Sequence, residues 1–419
     1  MPDLKPEYTP QPSRLLTPPI VGVPPKRDYA TSVVMLGGAL LNAILAILNA
    51  WAFQVTGNIL IGIQATITVA ALMIVFKRAT IELLPLVIST GVLGAFLTIG
   101  AINHGFSVRD TNDILLIPVF LAVGVTSRYF PKRQFIYLFS MVYGSAILEV
   151  VSASGYKALF SPLSYLVSTR AWISEVVTKA NMEQGLYIGS DRGGGLIFSF
   201  IANHRIGGLF LEPLSMSYFA IISAMIFITM YRANSFKLNF SILMCLLLAM
   251  VSDSRLGVGL IVVFRIIAFI PEPMWSRRIA YFVPAVILFS AYLFYSFQIA
   301  NGLGDTMSRL SVTIAETNRN PLPELILGNI ATDQFGDSGI LRIIYYSTIA
   351  GCLIALAIFS GITAGKFKGY SYVPTMAAIY ITSSALFGGA FMSIKTVALF
   401  GIYVGVTANG RFEKPDNII

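Results

Sequence analysis

Apolar runs of about twenty residues recur along the whole chain, and they constrain the fold more than any other feature. Such a run is long enough to cross a hydrocarbon layer about 30 Å thick as an α-helix. Of the 419 residues, 56% are hydrophobic and only 12% are charged, whereas roughly one-quarter of the residues of a soluble domain are charged. The runs do not alternate polar with apolar residues, as the strands of a membrane barrel would. We therefore predict an all-α polytopic membrane protein.

The positions of lysine and arginine predict the topology, because basic residues in short loops resist translocation. We predict a transmembrane domain over residues 31–409, with proline-rich residues 1–30 as a disordered cytoplasmic tail and 410–419 as a second cytoplasmic tail. Two large loops are then expected on the outer side, at about 153–205 and 299–338. Within the first, Leu159 to Val177 is predicted to lie along the interface as an amphipathic helix. The twelve predicted spans are 31–53, 57–76, 83–103, 113–127, 134–152, 208–230, 238–252, 256–272, 279–298, 339–362, 373–394 and 396–409.

Charge and cysteine content exclude several other classes of function. The formal net charge is +9, but the basic residues mostly flank the predicted spans, so topology explains them and nucleic acid is not a predicted partner. The two cysteines, Cys245 and Cys352, lie inside apolar runs, which argues against a disulfide framework. With only His104 and His204 as histidines, we predict no metal site and no cofactor.

Several arginines are predicted to remain on the outer side against the topological bias, including Arg205, Arg255, Arg309, Arg319 and Arg342. Three of them, Arg205, Arg255 and Arg342, are the candidates for binding phosphate. A guanidinium group presents a planar fork of donors that matches phosphate oxygens. Gly207 and Gly208 follow Arg205, and glycines permit close approach of a head group to the backbone. We predict that the three arginines form one phosphate-binding site. The alternatives are that Arg205 anchors a helix end and that Arg255 forms an ion pair with its neighbour Asp253.

Three further residues are candidates for acid–base chemistry. His204 is either a proton carrier or a solvated loop residue. Glu212 is predicted about two turns inside the span 208–230, where a carboxylate needs a partner. It either pairs with an outer arginine or holds an acceptor hydroxyl. Asp337 precedes the span 339–362, where it either caps the helix or acts as a general base.

Several of these motifs resemble those of a known family. The stretch Arg205-Ile206-Gly207-Gly208-Leu209-Phe210, the later Ser254-Arg255-Leu256-Gly257, and a long outer loop closing through Asp337-Ser338-Gly339 are similar to the O-antigen ligase and polymerase superfamily. Over about residues 130 to 365 the chain looks most like the Wzy-type exopolysaccharide polymerases, including the xanthan polymerase kind.

The resemblance implies an inverting, metal-independent glycosyltransferase of the bacterial inner membrane, with a fold related to the GT-C class. Such an enzyme joins polyprenyl-diphosphate-linked glycans at the periplasmic face. Arg205 and Arg255 match arginines that hold the donor diphosphate, and Arg342 is a third candidate. The ligase branch carries a histidine in the last large outer loop, but residues 301–342 contain none. Asp337 lies there instead, which favours a polymerase over a ligase.

The expected partners are the lipid-linked donor and acceptor and membrane lipids, with flippase and chain-length co-polymerase proteins as further candidates. Three other functions remain open. The first is an O-antigen ligase-type transferase. The second is a lipid-linked glycan transporter or flippase, which predicts charged or broken helices at mid-membrane depth. The third is an assembly subunit without catalysis, for which substitution of Arg205 or Arg255 would change little.

Overall fold

The computed structural model describes residues 28–190, 196–271, 275, 278–296, 305–329 and 338–412, and over these ranges the regular structure is helical throughout. Short 3₁₀ turns lie at Ile81–Leu83, Gly208–Phe210 and Ala390–Met392. The helices are α1 Tyr29–Trp51, α2 Gly57–Lys77, α3 Leu84–His104, α4 Val108–Thr126, α5 Lys132–Val151, α6 Ala153–Phe160, α7 Pro162–Thr169, α8 Ala171–Val176, α9 Lys179–Gln184, α10 Pro213–Tyr231, α11 Ser235–Val251, α12 Arg255–Phe269, α13 Ile279–Ser296, α14 Asp305–Arg319, α15 Leu322–Leu327, α16 Gly339–Phe359, α17 Val373–Phe387 and α18 Ile394–Ala408.

Seven segments in the described part of the chain are long and apolar enough to cross a membrane: α1, α2, Ile81–His104, α5, α10, α13 and α16. The all-α prediction is therefore confirmed for the described residues, and the seven segments are candidate membrane spans. The other five predicted spans coincide with helices of 15 to 19 residues, namely α4, α11, α12, α17 and α18.

Helices α10 and α18 form the centre of the bundle. Every residue of α18 is buried, as is every residue of α10 except Leu214 and Tyr231. Glycine allows α18 to pack closely against α4. A Cβ atom on Gly405 would lie 2.3 Å from the carbonyl oxygen of Leu121, so a larger residue would not fit there. Close backbone approach at small residues is how helices pack where solvent does not drive them together. In contrast, α2 buries only Ala71 and Ile74 and lies at the periphery.

The helices give the bundle two chemically different ends. The loop-bearing end carries residues 153–190 and 196–212, the turn Ser252–Ser254, helices α14 and α15, and the start of α16. Contacts tie these parts together; for example, Asn103 at the end of α3 donates to the carbonyl oxygen of Leu327 at 2.9 Å. The opposite, basic end carries Lys77, Arg78, Arg128, Lys132, Arg133, Arg232, Lys237, Arg278, Lys366, Lys368 and Arg411.

The prediction of one amphipathic helix over Leu159 to Val177 is wrong. The segment instead forms three short helices, α6, α7 and α8, which are interrupted at Ser161 and Arg170. Ser161 has a left-handed backbone, with φ of 38°, and it precedes Pro162, whose ring disfavours a helical conformation at the residue before it. Arg170, at the second interruption, forms an ion pair with Glu212.

Helix α10 begins later than predicted. Gly208–Phe210 form a 3₁₀ turn, Leu211 has a φ of 64°, and the helix starts at Pro213. Proline is favoured at the first position of a helix because its missing N–H would have no partner there. Glu212 therefore lies immediately before the helix and not two turns inside it.

Parts of other predicted segments lie outside the described residues, including 1–27 of the first tail and 413–419 of the second. The described residues beside them pack on the basic end. Asp28 is 5% exposed, and the ring of Phe412 stacks on that of Phe130.

Candidate functional site

A cavity of about 530 Å³ opens at the loop-bearing end of the bundle. Its walls come from α1, α2, α4, the α7–α8 junction and the starts of α10, α16 and α18. Polar groups from these separate segments converge on one space beside an otherwise apolar core. The polar residues that line it are Asn42, Gln64, Arg109, Asn112, Asp113, Thr169, Arg170, Glu212, Ser338, Arg342 and Ser393.

The first charge cluster of the cavity is centred on Arg342. Ser338 caps α16, its hydroxyl accepting from the amide of Leu341 at 3.3 Å, which fixes the turn that carries Arg342. The guanidinium donates from Nε to Asp110 Oδ1 at 2.7 Å, and its Nη2 lies 3.2 Å from Asp113 Oδ2. Two carboxylates on adjacent turns of α4 therefore orient this arginine at the cavity wall.

The second cluster is centred on Glu212, which lies between two cations. Its Oε2 accepts from Lys395 Nζ at 2.6 Å and from the hydroxyl of Ser215 at 2.8 Å. Arg170 forms an ion pair with the other oxygen. Burial alone would raise the pKa of Glu212, but Arg170 and Lys395 outweigh it and lower the pKa to about 2. The expected pairing of Glu212 with an arginine is confirmed, and a carboxylate this acidic is a weak base at neutral pH.

Arg205 and Arg255 come together at a different place, the turn between α11 and α12. Arg205 donates from Nε to the carbonyl oxygen of Ser252 at 3.1 Å and from Nη1 to that of Gly189 at 3.3 Å. Arg255 is the first residue of α12, whose amide at Gly257 donates to the Ser254 hydroxyl at 3.0 Å. The described lining of the cavity includes neither arginine. The structure thus brings two of the three predicted arginines to one turn and the third to the cavity.

His204 is half-buried and contacts a carboxylate that the sequence interpretation did not consider. Its Nε2 lies 3.4 Å from Oε1 of Glu149, which is 2% exposed. The expectation of a solvated loop histidine is therefore wrong. Oε2 of Glu149 accepts from the amides of Gly207 and Gly208 at 3.1 and 2.7 Å.

The two glycines after Arg205 serve internal packing. Both are buried, and a Cβ atom on Gly207 would lie 2.6 Å from the carbonyl carbon of Leu211. Gly208 has a φ of 52° and accepts at its carbonyl from the hydroxyl of Tyr156 at 2.7 Å. The expectation that these glycines let a head group approach the backbone is wrong, because the chain itself fills that space.

Asp337 lies outside the described residues, and the cap at the start of α16 is provided by Ser338. Sequence reasoning missed five charged residues of the site: Arg109, Asp110, Asp113, Arg170 and Lys395. One signal was available. A lysine in an apolar run requires a partner, and Lys395 and Glu212 are isolated charges in two such runs.

Comparison of the chain with protein-family models, with curated proteins and with solved structures finds no match. The site is therefore interpreted from its own chemistry.

Proposed function

We propose that the protein is a polysaccharide polymerase that joins polyprenyl-diphosphate-linked repeat units at the periplasmic face of a bacterial inner membrane. The reaction is inverting and independent of metal. The observation that carries the proposal is a cavity lined by arginines, carboxylates and carboxamides that borders directly on a lipid-facing helix.

The position of α2 supports a substrate with a lipid tail. Its first two turns line the cavity through Gly57, Leu60, Ile61 and Gln64, while most of the helix is unburied within the protein and Ile61 is 53% exposed. Apolar surface of this kind faces acyl chains in a membrane protein. A polyprenyl tail then lies along the outside of α2 while its head group occupies the cavity.

The cations of the cavity suit a diphosphate leaving group. Arg109, Arg170 and Arg342 line one space, and two of them are held by carboxylates, so they need little reorganisation during reaction. Preorganised cations stabilise the charge that develops as a bond to phosphate breaks. In the proposed step, an acceptor hydroxyl attacks the anomeric carbon from the face opposite the diphosphate. The bond between that carbon and the diphosphate oxygen breaks, and the electron pair leaves with the diphosphate.

The hydroxyl proton passes to a carboxylate base. Asp337 is the base expected from the sequence, and its neighbour Ser338 lines the cavity. Among the described residues, Asp113 is the alternative base. Its carboxylate lines the cavity and pairs with Arg342, but it lacks the contacts with Arg170 and Lys395 that Glu212 has. We assign Glu212 to positioning Arg170, and His204 to the Glu149 contact.

A polymerase binds two lipid-linked substrates, and the arginines form two groups. We assign the cavity arginines to one diphosphate. Arg205 and Arg255, at the turn between α11 and α12, are assigned to the other. Both groups lie at the loop-bearing end.

The distribution of basic residues supports the proposed topology. The basic end carries the lysines and arginines of the short connections, which remain cytoplasmic in membrane proteins. We propose twelve crossings, both termini cytoplasmic, a periplasmic loop-bearing end, and a fold related to the GT-C class.

One observation favours a second candidate, a flippase for lipid-linked glycans. Helix α16 is interrupted at Thr348, whose φ of 75° and ψ of 169° are rare for a β-branched residue. Interrupted helices are typical of transporters. The interruption packs against the α15–α16 connection, where a Cβ atom on Gly328 would lie 3.2 Å from the Cα of Thr348.

Reconstitution with labelled lipid-linked repeat units in vesicles distinguishes the candidates. A polymerase converts single repeats to a ladder of longer lipid-linked chains. A flippase moves the label across the bilayer without changing its size, and a ligase transfers preformed glycan to a different acceptor. Absence of any chain longer than one repeat, with protein shown to be folded, would overturn the polymerase proposal.

A further inference from the structure

Three carboxamide side chains from three helices line the same cavity as the arginines: Asn42 of α1, Gln64 of α2 and Asn112 of α4. They are uncharged and can both donate and accept hydrogen bonds. Gln64 lies in a peripheral apolar helix, where a polar side chain that faced lipid would be costly.

The hydrogen bonds of these carboxamides are incomplete within the described chain. Asn42 is 6% exposed, and its Oδ1 accepts from the hydroxyl of Tyr165 at 3.2 Å, but its Nδ2 has no protein acceptor among the described residues. Gln64 and Asn112 are partly buried, and among the described residues neither side chain has a hydrogen-bond partner in the protein. All three side chains line the cavity, so their unused donors and acceptors are available to a polar ligand there.

The chemistry of that ligand follows from the two kinds of polar side chain on the lining. The arginines match phosphate oxygens. A carboxamide matches a neutral group that also donates and accepts, and sugar hydroxyls have this property. A cavity of about 530 Å³ lies within the range of known small-molecule sites.

Resting on the proposed function, we infer that Asn42, Gln64 and Asn112 bind the hydroxyl groups of the sugar next to the lipid diphosphate and thereby determine which sugar is accepted. Tyr165 fixes the orientation of Asn42 through its hydrogen bond, which leaves the Nδ2 donor for the ligand. The carboxamides are thus specificity-determining residues, and the arginines act on any polyprenyl diphosphate irrespective of its sugar.

Native mass spectrometry of the full chain with two probes tests this inference. One probe is undecaprenyl diphosphate without sugar, and the other is the lipid-linked glycan purified from cells that lack the protein. The unsubstituted protein should bind the sugar-bearing probe at least tenfold more tightly. Gln64→Leu and Asn112→Leu should each reduce that preference about five-fold, the effect of one lost hydrogen bond, while leaving binding of the sugar-free probe unchanged.

Gln134→Leu is the matched control, because Gln134 is a carboxamide in the first turn of α5 at the basic end. It should preserve the preference. Equal binding of both probes by the unsubstituted protein would overturn the inference and leave the proposed function standing. The inference also fails if the two variants weaken both probes alike. Failure of the unsubstituted protein to bind either probe would instead overturn the proposed function.

Discussion

The two ends of the bundle both concentrate charged side chains but use them differently. At the basic end, Asp28 caps α1 and receives two hydrogen bonds from Arg78 at the end of α2, at 2.6 and 2.9 Å. Arg411, which follows α18, donates to the carbonyl oxygen of Ser127 after α4 at 3.3 Å and to Glu82 at 3.2 Å. These contacts join helix ends to one another.

At the loop-bearing end, ion pairs line a space. Arg342 and Glu212 both form ion pairs, yet each also borders the cavity together with carboxamides whose hydrogen bonds to the described chain are incomplete. An ion pair by itself therefore does not indicate function in this protein. What indicates function is that charges and polar groups with incomplete hydrogen bonds converge on one cavity. Four substitutions test this difference between ion pairs that line the cavity and ion pairs that join helix ends.

The largest effect is expected from Glu212→Ala. It leaves Lys395, which is 1% exposed, and Arg170 buried without their shared carboxylate. Removing one partner of a buried ion pair typically costs about 3–5 kcal/mol. Thermal unfolding in detergent should show a large loss, with Glu212→Gln intermediate. An unfolding midpoint equal to that of the unsubstituted protein would show that the cluster does not support the fold.

Arg342→Ala should lower polymer formation by about 10²–10³-fold, the usual effect of removing one group that stabilises developing charge. Arg342→Lys should recover only part of the activity, because lysine lacks the planar fork. Product length on gels measures the loss, and unfolding temperature shows whether the variant is folded. Arg265→Ala is the control, since Arg265 bonds Asn239 on α11. Wild-type chain lengths from Arg342→Ala would contradict the assignment.

Asp28→Ala should cost about 2 kcal/mol of stability, through loss of a helix cap and of the pairing with Arg78, while activity per folded molecule is retained. Burial raises the pKa of Asp28, but hydrogen bonds from Arg78 and Thr31 outweigh it and lower the pKa below 3.8. The stabilisation is therefore complete above about pH 4 and is lost as the pH falls through the lowered pKa. Stability of the unsubstituted protein and of Asp28→Asn against pH measures this. A fall in specific activity would contradict the proposed difference between the two ends, because it would show that a charge at the basic end also affects function.

The smallest effect is expected from Glu82→Ala, also at the basic end. The Glu82 side chain is 50% exposed and pairs with Arg411 at 3.2 Å. Exposed ion pairs contribute about 0–1 kcal/mol. Neither unfolding temperature nor polymer length should change measurably. A loss of stability comparable to that of Glu212→Ala would show that solvent exposure does not distinguish this ion pair from the buried ion pairs of Glu212.

Helix positions could be predicted from the sequence because each depends on a local run of apolar residues. The twelve predicted spans coincide with helices. The errors lie where a proline or a left-handed residue interrupts a run of residues whose apolar pattern is otherwise helical. Pro162 disfavours a helical conformation at Ser161, so α6 ends at Phe160. The turn at Leu211 shifts the start of α10 to Pro213. The partners of Glu212 could not be predicted, because Arg170 and Lys395 lie 42 and 183 residues away in the chain.

By itself, the sequence determined that this chain is a bundle of apolar helices, since hydrophobic length and charge placement are properties of each segment alone. Only the tertiary structure decided which charges meet. It separated Arg205 and Arg255 from the cavity residue Arg342, and it brought Asn42, Gln64 and Asn112 together. The physical reason is that side-chain contacts depend on which faces of distant helices pack against one another, and no local pattern encodes that choice.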